Sequence, residues 1–586
     1  MKNQNKDQPM QLLWQFMWEK RWNYTLSVIA IILSEIVYVQ FPNLLGEFTN
    51  TLQAGRLTSG KLAYYAIALM TVGVLQVALY GFGQYRNGET GRLFEYQLRK
   101  RLFGKWETLT TAYFRKKSVG DLLNHAMTDV QAVREALSGG MNIFTNAIFL
   151  LLTTLYMTFT TISISLTLLS IIPILFIPFF VVWFGPRIRQ ASKQVQEALS
   201  DMAEFTEESL TAIRLIKATA NETIDTNRFS RRVDTIVHRQ LSMISRSALF
   251  QSFIPLMGSL SFAIALSYGG YLTIHGNIKL GSFVAFTLYL AMIITPLQQI
   301  GFVIINFQRA SASLQRLQTL LTVVPEIDDP IDPIPTQTIH GEIVVALDEY
   351  RYPDAAKTTL HDIHFTLSVG KTLGIVGRTG SGKTTLVNLL PRIFDAKAGS
   401  VMIDGHPIHQ YRLQDLREAI AYVPQDGFLF STTIKENIEF GRDHATEEEI
   451  VQAAQDAAMY DDIMAFQEGF ATQIGERGVS LSGGQKQRTA IARALLKEAP
   501  ILIMDDSLSA VDMNTEKKIL AALTRLRKNR TTMIVAHRLS AVRDADWILV
   551  LENGTILEQG THEQLLALNK EYKKIYDLQE AGSDLA

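Results

Sequence analysis

Residues 373–385 read LGIVGRTGSGKTT and hold the spacing Gly377-x-x-x-x-Gly382-Lys383-Thr384 between a short apolar run and the helical pattern TTLVNLLPRIF. Arg378, Thr379, Gly380 and Ser381 fill the turn, and Thr385 follows it. These residue types suit a phosphate cradle. Glycines let successive backbone N–H groups face an anion, Lys383 brings a point charge, and the Thr384 hydroxyl can reach a magnesium ion. By itself the pattern is a general mark of nucleoside triphosphate binding.

Further along stand Val423-Pro424-Gln425-Asp426, then Leu481-Ser482-Gly483-Gly484-Gln485. The apolar run Ile501-Leu502-Ile503-Met504 ends in Asp505 and Asp506, and Ser509-Ala510-Val511-Asp512 and Ala536-His537-Arg538 follow. Asp505, at the end of an apolar strand, can orient a hydrated metal ion beside the phosphates. Upstream, Tyr350-Arg351-Tyr352-Pro353 offers two aromatic faces.

These residues need a soluble α/β scaffold, and only the second half of the chain has its composition. At 586 residues the chain is too long for one domain, and long apolar runs fill it to about residue 310. A formal net charge of −1 gives no basic face for nucleic acid, so no nucleic-acid partner is expected. With no cysteine, disulfides, thiolate metal sites and cysteine nucleophiles are excluded.

A bilayer core takes about 20 apolar helical residues to cross, and six runs qualify, near 24–45, 62–85, 141–159, 162–184, 250–274 and 283–307. They define a membrane domain over 24–324. The links 86–140 and 185–249 are long, helix-patterned and rich in Lys and Arg, which expects them, both termini and the soluble domain in the cytoplasm of a multi-pass cell-membrane protein. Each long link reads as a helical hairpin, with candidate tips at 114–121 and 212–225 that either touch another domain or turn in solvent. No cleaved signal is read at the start, so the first apolar run is expected to stay.

Segment 1–23 carries Trp14, Trp18 and Trp22 beside Lys20 and Arg21, as an interfacial helix or a plain flanking segment would. Within the spans, Glu35, Gln40, Gln298, Gln299 and Asn306 either face a substrate cavity or bond helix to helix. Residues 325–338, with Pro325, Pro330, Pro333 and Pro335, form a linker of limited flexibility. The soluble domain is expected over 339–575, with a tail at 576–586. The fold class is therefore multi-domain: an all-α transmembrane domain of six helices with long cytoplasmic extensions, then an α/β P-loop domain.

The motif series resembles the ATP-binding-cassette family, most specifically through LSGGQ at 481–485, and six spans ahead of one cassette resemble an ABC exporter half-transporter. The likeness is strong over 341–564 and weaker in the membrane half. It implies a dimer in which each ATP lies between one chain's phosphate loop and the other's LSGGQ segment. It further implies that Tyr352 stacks on adenine, that Gly377 to Thr385 hold the phosphates, and that Thr384, Gln425 and Asp505 serve Mg2+. His537 is then expected at the γ-phosphate and Asp512 at the dimer seam, while Ser482, Gly483, Gly484 and Gln485 complete the partner's site.

One position departs from the family pattern. Where the family has Glu after the strand-terminal Asp, as base or water-positioning group, this chain has Asp506. Its carboxylate is one methylene shorter, and a misplacement of about 1 Å can cost on the order of a hundredfold in rate. The combination resembles the impaired-site half of heterodimeric bacterial multidrug exporters. The expectation is ATP-driven export of small amphipathic or hydrophobic compounds, with hydrolysis mainly at the site completed by a different, Glu-bearing half. Alternatives sharing the architecture are a lipid flippase half, a peptide exporter half, a homodimeric exporter and an ATP-gated regulator. A cassette acting on ribosomes or DNA fits poorly with six spans. Lack of cysteine and of an N-terminal extension argues against a built-in thiol peptidase for leader peptides.

Overall fold

The computed structural model describes residues 9–583 except 336, 337, 354, 356, 398, 399, 476–480 and 529. The first eight residues of the N-terminal segment, Thr336 and Gln337 of the linker and the last three residues of the tail therefore lie outside the described residues, as does the side chain of Gln298. The chain divides into two compact units, one of residues up to Glu107 with Lys117–Val323, the other of Thr108–Lys116 with residues from Val324 onward.

The first unit is helical: α1 (Pro9–Glu19), α2 (Arg21–Tyr38), α3 (Gln40–Gln53) and α4 (Ser59–Thr108), whose last residue belongs to the other unit, then, after the short helix α5 (Thr111–Lys116), α6 (Val119–Asn124), α7 (Val130–Glu135) and α8 (Met141–Thr161). It closes with α9 (Ile164–Thr211), α10 (Ile213–Ala218), α11 (Glu222–Ile274) and α12 (Leu280–Leu321). Among the described residues, six helical stretches are long and apolar enough to cross a membrane. The first of these breaks at Val39, between α2 and α3. Pro42 explains the break: it has no N–H for the Tyr38 carbonyl, and its ring crowds that carbonyl.

Polar side chains join these helices to one another. Glu35 is buried and accepts from Asn146 Nδ2 at 2.6 Å and from the Ser34 hydroxyl at 3.3 Å, so it bonds helix to helix. Asn50 Oδ1 accepts the Gly281 N–H at 2.7 Å, satisfying a first-turn donor of α12. Two π-helical turns, His125–Asp129 and Ala136–Gly140, flank α7. Buried Asp129 accepts from Ser313 Oγ at 2.8 Å and Arg316 Nε at 3.0 Å, both on α12, and pairs with His125 Nδ1 at 2.8 Å.

The second unit is α/β. Strands β1 (Ile343–Tyr350), β2 (Leu360–Leu367), β4 (Val401–Ile403) and β5 (His406–Pro407) form one sheet in the order β2-β1-β4-β5. The other, ordered β10-β9-β3-β8-β7-β6, holds β3 (Thr372–Gly377), β6 (Ile420–Val423), β7 (Ile501–Asp505), β8 (Thr531–Val535), β9 (Trp547–Glu552) and β10 (Thr555–Gly560). Its central pairs are parallel, and β7 and β8 are buried at every residue, which is why β7 reads as the run Ile501-Leu502-Ile503-Met504 before Asp505 rather than as an alternating strand.

Helices α13 (Lys383–Leu389), α14 (Leu413–Glu418), α15 (Ile434–Glu439), α16 (Glu447–Asp456), α17 (Tyr460–Ala465), α18 (Gly483–Leu496) and α19 (Met513–Leu526) fall between the strands, and α20 (His562–Leu568) and α21 (Glu571–Ser583) follow them. The proline-rich stretch is held to this unit: Asp329 Oδ1 accepts the Leu413 N–H at 2.7 Å, and Ile334 N–H donates to Gln410 O at 2.9 Å. The fold class expected from the sequence is met: six apolar membrane helices, then an α/β P-loop domain.

Candidate functional site

The parallel strands deliver their polar residues to one edge. The phosphate loop leaves the end of β3, Asp505 ends β7, and His537 stands two residues beyond β8. Crevices outside the carboxyl ends of parallel strands are where open α/β sheets bind ligands.

The loop keeps its shape through glycine. Gly377 has φ +152°, and a Cβ there would lie 2.2 Å from the Leu551 carbonyl oxygen. Gly382, at φ +99°, caps α13 in the left-handed region. Lys383 Nζ donates to the Gly377 and Arg378 carbonyls, both at 2.9 Å. Burial pulls its ammonium below its ordinary pKa, against the pull of Asp506 and Asp505. Ser381 Oγ is buried in the turn with no hydrogen-bond partner, so the cradle has a donor to spare for a phosphate oxygen.

Thr384, Asp505 and Tyr422 form one cluster. Thr384 Oγ1 donates to Asp505 Oδ1 at 3.0 Å, and the Tyr422 hydroxyl lies 3.2 Å from Asp505 Oδ2 and 2.9 Å from Asn388 Oδ1. Burial pushes the Asp505 carboxyl up, bonds from Thr384 and Tyr422 oppose it, and Asp506 adds to the rise. Next to it, Gln425 Nε2 donates to Asp506 Oδ2 at 3.3 Å. Thus Thr384, Gln425, Asp505 and Asp506 come together. The Asp506 backbone has φ +46°, a region that Asp tolerates better than most residues.

Tyr352 reaches the loop's end through its hydroxyl, 2.9 Å from Thr385 Oγ1. Its ring meets Phe394 and Tyr350 edge-on at centroid distances of 4.9 and 5.2 Å. Arg115, on α5, lies 5.7 Å from the centre of the same ring.

The LSGGQ residues build a separate feature. Ser482 Oγ accepts the Gln485 N–H at 3.3 Å while Gln485 Oε1 accepts the Ser482 N–H at 3.0 Å, a capping box that starts α18. Among the described residues no hydrogen bond joins residues 482–485 to residues 377–385. A Cβ on Gly484 would sit 2.9 Å from the Ala510 carbonyl, so α18 passes close to the segment before Asp512. Asp512 Oδ1 accepts from the Asn514 and Thr515 N–H groups at 3.1 Å and so caps α19. His537 is half-buried, its carbonyl bonded to Gln579.

Three contributors carry no sequence motif. Tyr422 bears on Asp505, Gln487 Oε1 accepts the Ala510 N–H at 3.0 Å while its Nε2 lies 3.3 Å from Ser509 Oγ, and Gln579 holds the chain around His537. Only Tyr422 had a signal, standing three residues before Gln425 on a strand leading into the site.

Fold and site together define a membrane protein carrying a P-loop nucleotide-binding domain. Residues 24–297 match the ABC transporter transmembrane region and residues 360–509 match the ABC transporter cassette. The "Probable multidrug resistance ABC transporter ATP-binding/permease protein YheI" of Bacillus subtilis is 37% identical over 562 residues, 95% of each chain. An "ATP-dependent lipid A-core flippase" of Syntrophus aciditrophicus is 35% identical over 483 residues, 82% of this chain and 80% of its own. Among solved structures, a bacterial Atm1-family ABC exporter with ATP bound matches with a TM-score of 0.78 at 25% identity, covering 96% of this chain and 98% of that one. The chain belongs to the ABC transporter family, as a half-transporter with one membrane region fused to one cassette. It is a multi-pass membrane protein whose cassette binds ATP and couples its hydrolysis to transport, and half-transporters of this kind act as dimers.

Proposed function

We propose that this chain is one half of a heterodimeric exporter of small amphipathic or hydrophobic compounds, multidrug in character, whose own ATP site hydrolyses poorly. Asp506 carries the reading: the shorter carboxylate stands where the family has Glu, while the cradle around Lys383, Thr384 and Asp505 is fully furnished. The multidrug name of the Bacillus subtilis relative supports the substrate class. The cassette and both termini face the cytoplasm, where ATP is supplied.

Thr384, Gln425 and Asp505 would hold Mg2+, a hard cation that takes oxygen donors such as these side chains offer at one edge of the sheet. Bound there, it would supply positive charge against the phosphates. Lys383 and Gly377 to Thr385 bind those phosphates, Tyr352 stacks on adenine, and His537 touches the γ-phosphate. Ser482 to Gln485 complete the partner's competent site, with Asp512 at the seam. ATP closes the cassette pair and biases the membrane helices from inward-facing to outward-facing, which requires tighter ATP binding to the closed state.

The test is ATPase activity of the purified full-length chain, alone and co-expressed with a Glu-bearing half. Little turnover alone and recovery in the pair is expected. High activity alone that Asp506→Ala abolishes would sink the impaired-site reading in favour of a homodimer. The flippase relative favours a second substrate reading. Fluorescent-lipid translocation without dye efflux in proteoliposomes would select it.

A further inference from the structure

The last helix of the cassette grips the chain on both sides of Arg538. Gln579, on α21, donates through Nε2 to the His537 carbonyl at 2.8 Å and accepts the Leu539 N–H through Oε1 at 2.9 Å. One side-chain amide thus uses both its donor and its acceptor on a single stretch of backbone, as a neighbouring strand would. Between the two bonds, Arg538 Nη1 turns the other way and donates to the Val511 carbonyl at 3.0 Å, with the buried Glu516 carboxylate at 3.4 Å. Ser540 donates to the other oxygen of Glu516 at 2.6 Å. His537 therefore hangs from a short segment held by α21 on one side and by the start of α19 on the other.

The start of α21 reaches the same site by a second route. Glu571 pairs with Arg378 of the phosphate loop at 2.7 Å. A contact at each end of one helix makes α21 a brace across two walls of the nucleotide site. None of the nucleotide-site motifs includes this helix.

We propose that Gln579 is a positioning residue for ATP hydrolysis, fixing the backbone of residues 537–539 so that the His537 side chain meets the γ-phosphate. The inference rests on the reading of His537 as the γ-phosphate contact. Gln579 itself touches no substrate and acts through the two backbone bonds. Removing them frees the segment on one side while Arg538 keeps it on the other. The fold then survives, and the imidazole loses its fixed aim. Misplacement of about 1 Å near reacting atoms is enough for a loss on the order of a hundredfold.

The experiment compares Gln579→Ala, Gln579→Glu and His537→Ala in the full-length chain carrying Asp506→Glu, which places a full-length carboxylate in this chain's own site. ATPase kinetics and thermal melting are read together. For Gln579→Ala we expect kcat to fall about tenfold or more, KM for ATP to change less than about twofold, and the melting temperature to stay close to the parent's. Gln579→Glu keeps an acceptor for the Leu539 N–H and loses the donor to the His537 carbonyl, so its kcat lies between the two.

An unchanged kcat in Gln579→Ala with a crippled His537→Ala overturns the positioning role alone. An unchanged kcat in His537→Ala overturns the γ-phosphate reading and the inference with it. A fall in kcat that follows a fall in melting temperature, and that Gln579→Glu does not relieve, makes the contact merely structural and also overturns the proposal.

Discussion

Gln425 Nε2 donates to Asp506 Oδ2 at 3.3 Å, so the short carboxylate directly after β7 is met by a side chain from the segment after β6. A glutamate at the same backbone position would carry its carboxylate one methylene further out. The first prediction follows from that length. Asp506→Glu is expected to raise ATP turnover by this chain's own site on the order of ten- to a hundredfold. Steady-state phosphate release by the full-length protein measures it, and an unchanged or lower rate counts against the length argument.

Lys383 reaches back across the loop turn to the adjacent Gly377 and Arg378 carbonyls. Lys383→Ala removes a charged donor from the phosphates, a loss of about 1.5–3 kcal/mol, or roughly ten- to a hundredfold in ATP affinity. Lys383→Arg does not restore binding, because a planar fork does not replace a compact ammonium at this buried position. Equilibrium ATP binding decides; wild-type affinity in the alanine variant contradicts the assignment.

Asp505 gives a pH prediction with a definite sign. Burial, with Asp506 beside it, raises the folded-state pKa of Asp505, so its contribution favours the folded chain below the ordinary carboxylate range and is lost as pH rises through the raised value. At neutral pH the buried charge costs stability in the protein without nucleotide. Asp505→Asn is therefore expected to melt at or above the wild-type temperature near pH 7, with the gap closing as pH falls toward about 4. The same variant is expected to gain less stability on adding Mg2+ and ATP, as the proposed role of Asp505 requires. Melting curves across pH that show the asparagine variant consistently lower would refute this.

The Asp129–Arg316 pair is asymmetric: the aspartate side chain is 2% exposed and the arginine 53%. Arg316→Ala strands a buried charge on Ser313 and His125 and is expected to cost toward the lower end of about 3–5 kcal/mol. Asp129→Asn frees an arginine that already reaches water and costs less, about 1–2 kcal/mol. Denaturant unfolding in detergent measures both, and equal costs contradict the asymmetry.

Ser482 caps α18 through the box with Gln485, whose Nε2 also donates to Asp462 Oδ1 at 2.9 Å. Ser482→Ala is expected to lower stability by about 1 kcal/mol, and Ser482→Thr to retain most of it. Thermal unfolding checks this, and a silent alanine variant would remove the capping role.

The phosphate loop, the six apolar runs, LSGGQ and the short carboxylate Asp506 were legible in the sequence because each signal lies in contiguous residues. Turn chemistry needs a few neighbouring glycines, a bilayer crossing needs one long apolar run, and a buried parallel strand such as β7 needs one apolar stretch. The sequence also placed Asp505 at a strand end, and left open whether Glu35 faces a cavity or a neighbouring helix. Tertiary structure decided that, through Asn146 on α8.

It alone decided the pairings between distant residues: Asp129 with Arg316 across 187 positions, Tyr422 with Asp505 across 83, and His537 with Gln579 across 42. No periodicity or turn rule links such residues. A lone Gln or Tyr becomes a partner only when sheet order and helix packing bring its donor within hydrogen-bond reach, and those depend on the burial of the whole apolar surface rather than on any local stretch.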